Sequence, residues 1–148
     1  MTFIHQNARI PLTAAQILSL NSSPVELIAG TPGSIIVTYN LYLRLFHGTT
    51  PFNPQSTDAL VYYLGNLENT TLPNSSTIAK GFVDQTQDMS SWQSAWMGQG
   101  NAADLTADIK GSGLWLTQCN ANDFPSGSNW TQGNGTMLAL IEYAVVIP

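Results

Sequence analysis

IIVTYNLYLRLF, residues 35–46, is the stretch whose reading decides the fold. Its odd positions are Ile35, Val37, Tyr39, Leu41, Leu43 and Leu45, and its even positions are Ile36, Thr38, Asn40, Tyr42, Arg44 and Phe46. The odd set is apolar throughout and the even set is mixed. Side chains alternate between the two faces of a strand, so this is the pattern of a strand with one face on a core. The run is long, since strands usually have about 5–6 residues.

Upstream, residues 25–29 read as a second strand, and Gly30-Thr31-Pro32-Gly33 between the two is a turn signal. Two strands joined by a short turn predict antiparallel pairing. Before them, Thr13 is placed to cap a short helical turn over 14–20, which Asn21, Ser22, Ser23 and Pro24 end. Residues 1–12 read as an extended N-terminal arm with Phe3, Ile4, Ile10 and Leu12 apolar and Pro11 resisting helix.

Downstream, 59–64 reads as a strand, 77–83 as a weaker one, and 66–76 between them as a polar loop containing Pro73. The stretch 90–97 is ambiguous: Trp92 and Trp96 share a face if it is helical. Residues 101–110 suggest a second helical turn stopped by Gly111, and 114–118 alternate again. A loop over 120–135, rich in Asn, Gly and Ser, leads to the closing strand, 136–147. Both alternations of that strand are largely apolar, with Glu142 the exception. Such a strand is expected to be covered on one face by sheet packing and on the other by a helix, an arm or another subunit.

At least six strands, little helix and Asn/Gly/Ser/Pro-rich loops predict an all-β, antiparallel β-sandwich, jelly-roll-like, with one or two short helical turns. The arm takes residues 1–12 and a single sandwich domain takes 13–148. An immunoglobulin-like sandwich is the alternative, but the Cys…Trp…Cys spacing is absent.

Composition narrows the function. Charged residues make up 9% of the 148, against about 25% in ordinary soluble domains. The net charge is −5, and only four Lys or Arg are present. Nucleic-acid binding needs a cluster of phosphate-neutralising cations, so no nucleic-acid partner is expected, and an anionic membrane is disfavoured on the same ground. The first residues carry no basic and apolar leader pattern, so no signal peptide is expected. The single Cys119 allows no intrachain disulfide and reads as a small core residue.

The chemical inventory is short. The two histidines, His5 and His47, fall in the arm and at a strand end, and there is no Gly-x-Ser-x-Gly elbow. Asp84 and Asp88 are four apart, as are Asp104 and Asp108, but these spacings match no calcium loop and read as turn formers or caps. Gly111-Ser112-Gly113 and Gly133-Asn134-Gly135 read as turns. No catalytic residue, metal site or cofactor is expected. Among the aromatics, Trp92, Trp96 and Trp115 are expected in core or subunit contacts, while Trp130 in the polar loop is the candidate exposed ring for a glycan.

Leu12-Thr13, Gln16-Ile17-Leu18, Leu20-Asn21, Pro24-Val25, Leu27 and Pro32-Gly33, followed by the long strand ending near Gly48-Thr49, resemble a group of small structural proteins of tailed bacteriophages. Gly111-x-Gly113-Leu114-x-Leu116, then Gly133-x-Gly135-Thr136 and a closing strand with Tyr143, are similar to the same group. The resemblance covers about half the chain, at its two ends, and residues 51–101 depart from it. It implies a non-enzymatic virion protein, made in the host bacterial cytoplasm. Such proteins often bind the outside of the capsid as a trimeric cement or decoration protein. The expected partners are the major capsid protein and the chain itself as a homotrimer. The expected contacts are Phe3, Ile4, Arg9 and Ile10 of the arm, with Leu138, Leu140 and Val146 of the closing strand. The alternatives are a tail or head-fibre component, or a lectin-like glycan-binding module.

Overall fold

A computed structural model describes residues 1–65, 75–94, 110–123 and 126–147. Eight strands are present among them: β1 (Thr2–Leu12), β2 (Val25–Ile28), β3 (Ile35–Phe46), β4 (Asp58–Leu64), β5 (Ser75–Ala79), β6 (Met89–Gln93), β7 (Leu114–Asn120) and β8 (Thr136–Ile147). A short helix, α1 (Ala14–Leu18), follows β1. Thr13 caps it as expected: its side chain accepts from the Gln16 N–H while the Gln16 side chain accepts from the Thr13 N–H, a capping box.

The strands form two four-stranded sheets. Sheet I has the order β1-β8-β3-β6 and sheet II the order β2-β7-β4-β5. Every described pairing is antiparallel, and the pairs nest: β1 with β8, β2 with β7, β3 with β6, β4 with β5. Nested pairing across two sheets is a long double-stranded ribbon rolled up, the jelly roll. The sandwich predicted from the alternation is therefore present.

Nesting corrects three local expectations. First, β2 and β3 do not pair as a hairpin; the turn between them carries the chain from sheet II to sheet I. Second, the extended residues 2–12 are not detached. They pair with β8 along their whole length, from Thr2 opposite Ile147 to Leu12 opposite Met137. A strand whose N–H and C=O groups find a ladder does not remain free. Third, 77–83 is strand only to Ala79, after which Lys80–Phe82 is a single 3-10 turn that buries Phe82. The ambiguous stretch is strand β6 over Met89–Gln93, while Trp96, the loop 66–74, Asp104, Asp108 and most of the second helical turn lie outside the described residues.

The core lies between the sheets. Leu41, Leu43 and Leu45 of β3 face Met137, Ala139 and Ile141 of β8, with Leu12 of β1 beyond them and Leu60, Tyr62, Leu64, Leu114 and Leu116 from sheet II. Burying one such side chain contributes about 1.5–3 kcal/mol. The inward set of β3 is not the odd set throughout. Thr38 pairs with Tyr143 and Asn40 with Glu142, so Tyr39 is one extra residue, a β-bulge. Before it Ile36 and Thr38 are the deeply buried positions, and after it Leu41, Leu43 and Leu45 are. The bulge thus turns Asn40, Tyr42, Arg44 and Phe46 together to the outer face.

Polar loops close one end through asparagine side chains that act as backbone. Asn53 Oδ1 accepts the N–H groups of Thr131 and Gln132 at 3.1 and 3.0 Å. Asn134 Oδ1 accepts those of Thr49 and Thr50, each at 2.9 Å. Gly133 sits at φ +133 beneath the Phe52 ring, where a Cβ would collide with it. Asn and Gly abundance here is structural: these loops leave the ladder, and side-chain amides satisfy the backbone instead.

Candidate functional site

The outer face of sheet I is the candidate site. Register fixes which side chains share it. Opposite Tyr42 on β3 stand Leu140 of β8 on one side and Trp92 of β6 on the other; Arg9 of β1 lies opposite Leu140. These residues, with Asn7, Asn40, Arg44, Phe46, Leu138 and Glu142, line a shallow concavity of about 760 Å³.

Trp92 is 73% exposed, and its indole is held in place. Its Nε1 donates to Asn40 Oδ1 at 3.2 Å, and Asn40 Nδ2 donates in turn to Glu142 Oε2 at 2.5 Å. Beside it the Tyr42 hydroxyl and Ser90 Oγ share a hydrogen bond of 2.9 Å. The Arg44 guanidinium lies 4.9 Å from the centre of the Phe46 ring, a cation–π arrangement, and 3.5 Å from Asp88. The Arg44–Asp88 pair is about half exposed, so it orients side chains more than it stabilises the fold.

A second group lies on the same sheet at its other end. Phe3 is 53% exposed, and Met1, Ile4 and Ile147 are exposed around it. Together with Phe46, Trp92 and Leu140 these are the exposed large apolar side chains among the described residues. Met1 immediately precedes β1, and the other six lie on strands of sheet I. None is on sheet II, whose central strand β4 is buried on both faces.

The expected contact residues divide accordingly. Phe3 and Ile4 are open at one end, and Arg9, Leu138 and Leu140 line the concavity. Ile10 packs against the core instead. Val146 is only 7% exposed, flanked across the ladder by Phe3 and Ile35. The closing strand is therefore covered on its outer face only in its last part, where Ala144 and Val146 are buried; Leu140 and Glu142 stay open.

Trp130 is a correction. It is 5% exposed, its ring tilts against Phe52 at 5.7 Å, and its Nε1 donates to Asp58 Oδ2 at 2.8 Å. A Trp in a polar loop is buried here because a buried carboxylate awaits its N–H. Among the described tryptophans the exposed ring is Trp92, which sequence reasoning placed among core or subunit contacts. The signal that marks it is local: in Met89–Gln93 the alternation puts Trp92 in phase with Ser90, on the solvent side of an edge strand.

Among the described residues the remaining titratable groups do not converge. Asp84 faces Lys80 at 3.8 Å, while Asp88 pairs with Arg44 and accepts the His47 N–H at 2.8 Å. Among the described residues no three His, Cys, Asp or Glu come together in a metal-binding group. Cys119 is buried, and its thiol is pushed up to about 12 by burial and, secondarily, by the negative charge of Asp58.

No protein-family model matches the chain, and no curated protein does. Two solved structures of virus particles align with it over 99% of its length. One is the semi-empty virus-like particle of the giant freshwater prawn Macrobrachium rosenbergii nodavirus, at 8% identity and a TM-score of 0.28 over 94% of that chain. The other is mud crab tombus-like virus, at 6% identity and a TM-score of 0.30 over 81% of that chain. At TM-scores this low neither likeness carries an argument about function.

Proposed function

We propose that the chain is a non-enzymatic structural protein of a bacteriophage virion, which binds the outside of the capsid as a cement or decoration protein and acts as a homotrimer. The observation that carries this reading is that the exposed large apolar side chains among the described residues all lie on the strands of sheet I or immediately before them. A free domain spreads such residues over its surface, whereas here they gather on sheet I. Low charge supports it, because permanent protein contacts are depleted in charge at their centre and enriched in aromatics, Met and Arg. The resemblance of both chain ends to phage structural proteins supplies the context, and jelly rolls serve in viral capsids. The sheet end that carries Phe3 on the outer face and Ile4 on the other is the capsid contact, and Arg9, Leu138 and Leu140 extend it along the outer face. Cementing follows from linkage: a protein that binds only the assembled shell stabilises that shell by mass action.

The test replaces Phe3 and Ile4 together by Ser in the phage that encodes the protein and measures copy number per particle by quantitative mass spectrometry. Wild-type protein is expected in the hundreds of copies per head, and the double variant is expected to be lost from particles while remaining folded. Its retention at full occupancy, or absence of the wild-type protein from particles, refutes the reading. Deleting the first ten residues is not a clean substitute, because β1 pairs along the whole of β8 and its loss strips the sheet edge.

A further inference from the structure

Trp92 stands apart from the Phe3–Ile4 end of the sheet, and its surroundings are those of a small-ligand site. We propose that the concavity on the outer face of sheet I, with Trp92 on its rim, binds a neutral oligosaccharide.

Four observations lead there. The indole N–H is already spent on Asn40, so what Trp92 offers a ligand is its π face. That face suits the flat C–H surface of a pyranose, which is apolar and carries a slight positive charge. The platform is fixed before binding by the chain Trp92–Asn40–Glu142 and by the Tyr42–Ser90 pair, so little ordering remains to be done. The lining of the concavity holds donors and acceptors together, with Trp92 on one rim and Arg9 and Asn7 on the other: guanidinium N–H groups from Arg9 and Arg44, the Asn7 amide and the Glu142 carboxylate. Sugar hydroxyls need both kinds at once. The charges at the site, Arg9 and Arg44 against Glu142 and Asp88, cancel, which favours a neutral ligand over an anion.

The size fits as well, since small-molecule sites span roughly 300–1,000 Å³. A protein partner is the competing occupant, because Trp, Tyr and Arg also make binding hot spots. Those cluster at the fully desolvated centre of an interface, whereas Trp92 stands on the edge strand β6. The site shares Arg9, Leu138 and Leu140 with the surface assigned to the capsid above, and the experiment separates the two because Phe3→Ser and Trp92→Ala act at different places on the sheet.

The experiment applies the purified full-length protein to an array of neutral, sialylated and sulfated oligosaccharides and titrates the strongest neutral hit by calorimetry. Wild type is expected to bind neutral sugars. Trp92→Ala is expected to weaken binding at least about tenfold, from lost stacking and apolar contact, while Trp92→Phe retains part of it. Phe3→Ser is expected to leave sugar binding unchanged. Trp92 is exposed, so its variants are expected to fold. If they do not, a blue shift of wild-type tryptophan emission and protection from acrylamide quenching on adding the sugar serve as the readout. No binding on the array at millimolar sugar, equal affinity of Trp92→Ala, or binding confined to sialylated and sulfated sugars overturns the proposal. So does a Trp92→Ala variant that loses self-association or particle binding while wild type binds no sugar, which marks the face as a protein contact.

Discussion

Replacing Asp58 separates what its charge does from what its shape does. Asp58 is 4% exposed, and one oxygen, Oδ2, accepts both the Gln55 N–H and the Trp130 Nε1–H, each at 2.8 Å. It thereby ties the start of β4 to the loop that precedes β8. Asp58→Ala orphans the buried Trp130 donor at about 1–3 kcal/mol and the part-buried Gln55 N–H at less, so a loss of about 3 kcal/mol is expected. For a chain of this size that lowers the melting temperature by roughly 9 °C. Asp58→Asn keeps a carbonyl oxygen with two lone pairs, both donors can remain paired, and the expected cost is under about 1 kcal/mol. Trp130→Phe keeps an aromatic ring against Phe52 but loses the N–H and part of the buried indole, at about 2–3 kcal/mol. In a double-mutant cycle Asp58→Ala and Trp130→Phe share that bond, so their combined cost falls short of the sum by about 1 kcal/mol. Urea unfolding followed by circular dichroism and tryptophan fluorescence measures wild type and the four variants. Strict additivity, or Asp58→Asn as costly as Asp58→Ala, refutes the assignment.

Two further outcomes follow from buried groups. Among the described residues the buried Tyr62 hydroxyl has no hydrogen-bond partner, and burial raises its pKa; Tyr62→Phe is expected to leave stability unchanged or raise it by up to about 1 kcal/mol, and a loss above about 1 kcal/mol in urea unfolding refutes this. Cys119 is expected to stay unreactive toward a disulfide reagent at pH 8 until the protein unfolds. Because its folded pKa is raised from 9.0 to about 12, its contribution to stability is full below about pH 9 and declines as pH rises toward 12; thiol titration of native and urea-unfolded protein, with unfolding curves over that range, checks both.

Strand identity was legible because it is local. The bounds of β3 and β8 follow from alternation, and α1 follows from Thr13 and Gln16, which meet within one turn. The concavity was half legible. The mixed face of β3 already held Asn40, Tyr42, Arg44 and Phe46. Nothing in β3 itself says that Tyr39 is a bulge, which puts these four on one face with Leu138, Leu140 and Glu142. Trp130 and Trp92 exchanged roles for a similar reason. Loop position argued for exposure and aromatic size for burial, but Asp58, seventy-two residues from Trp130, decided the first, and the edge position of β6 decided the second.

The sequence by itself determined that this chain is β, where strands such as β3 and β8 lie, and how few charges it carries. Those properties depend on side-chain alternation and composition, which act within a few residues. Only the tertiary structure decided that β1 is a sheet strand rather than an arm, that β2 and β3 lie in different sheets, and that the exposed apolar side chains gather on sheet I. Each of these depends on which strand supplies the partner ladder. In a nested roll the partner of the first strand is the last, so the deciding contact is the one most distant along the chain.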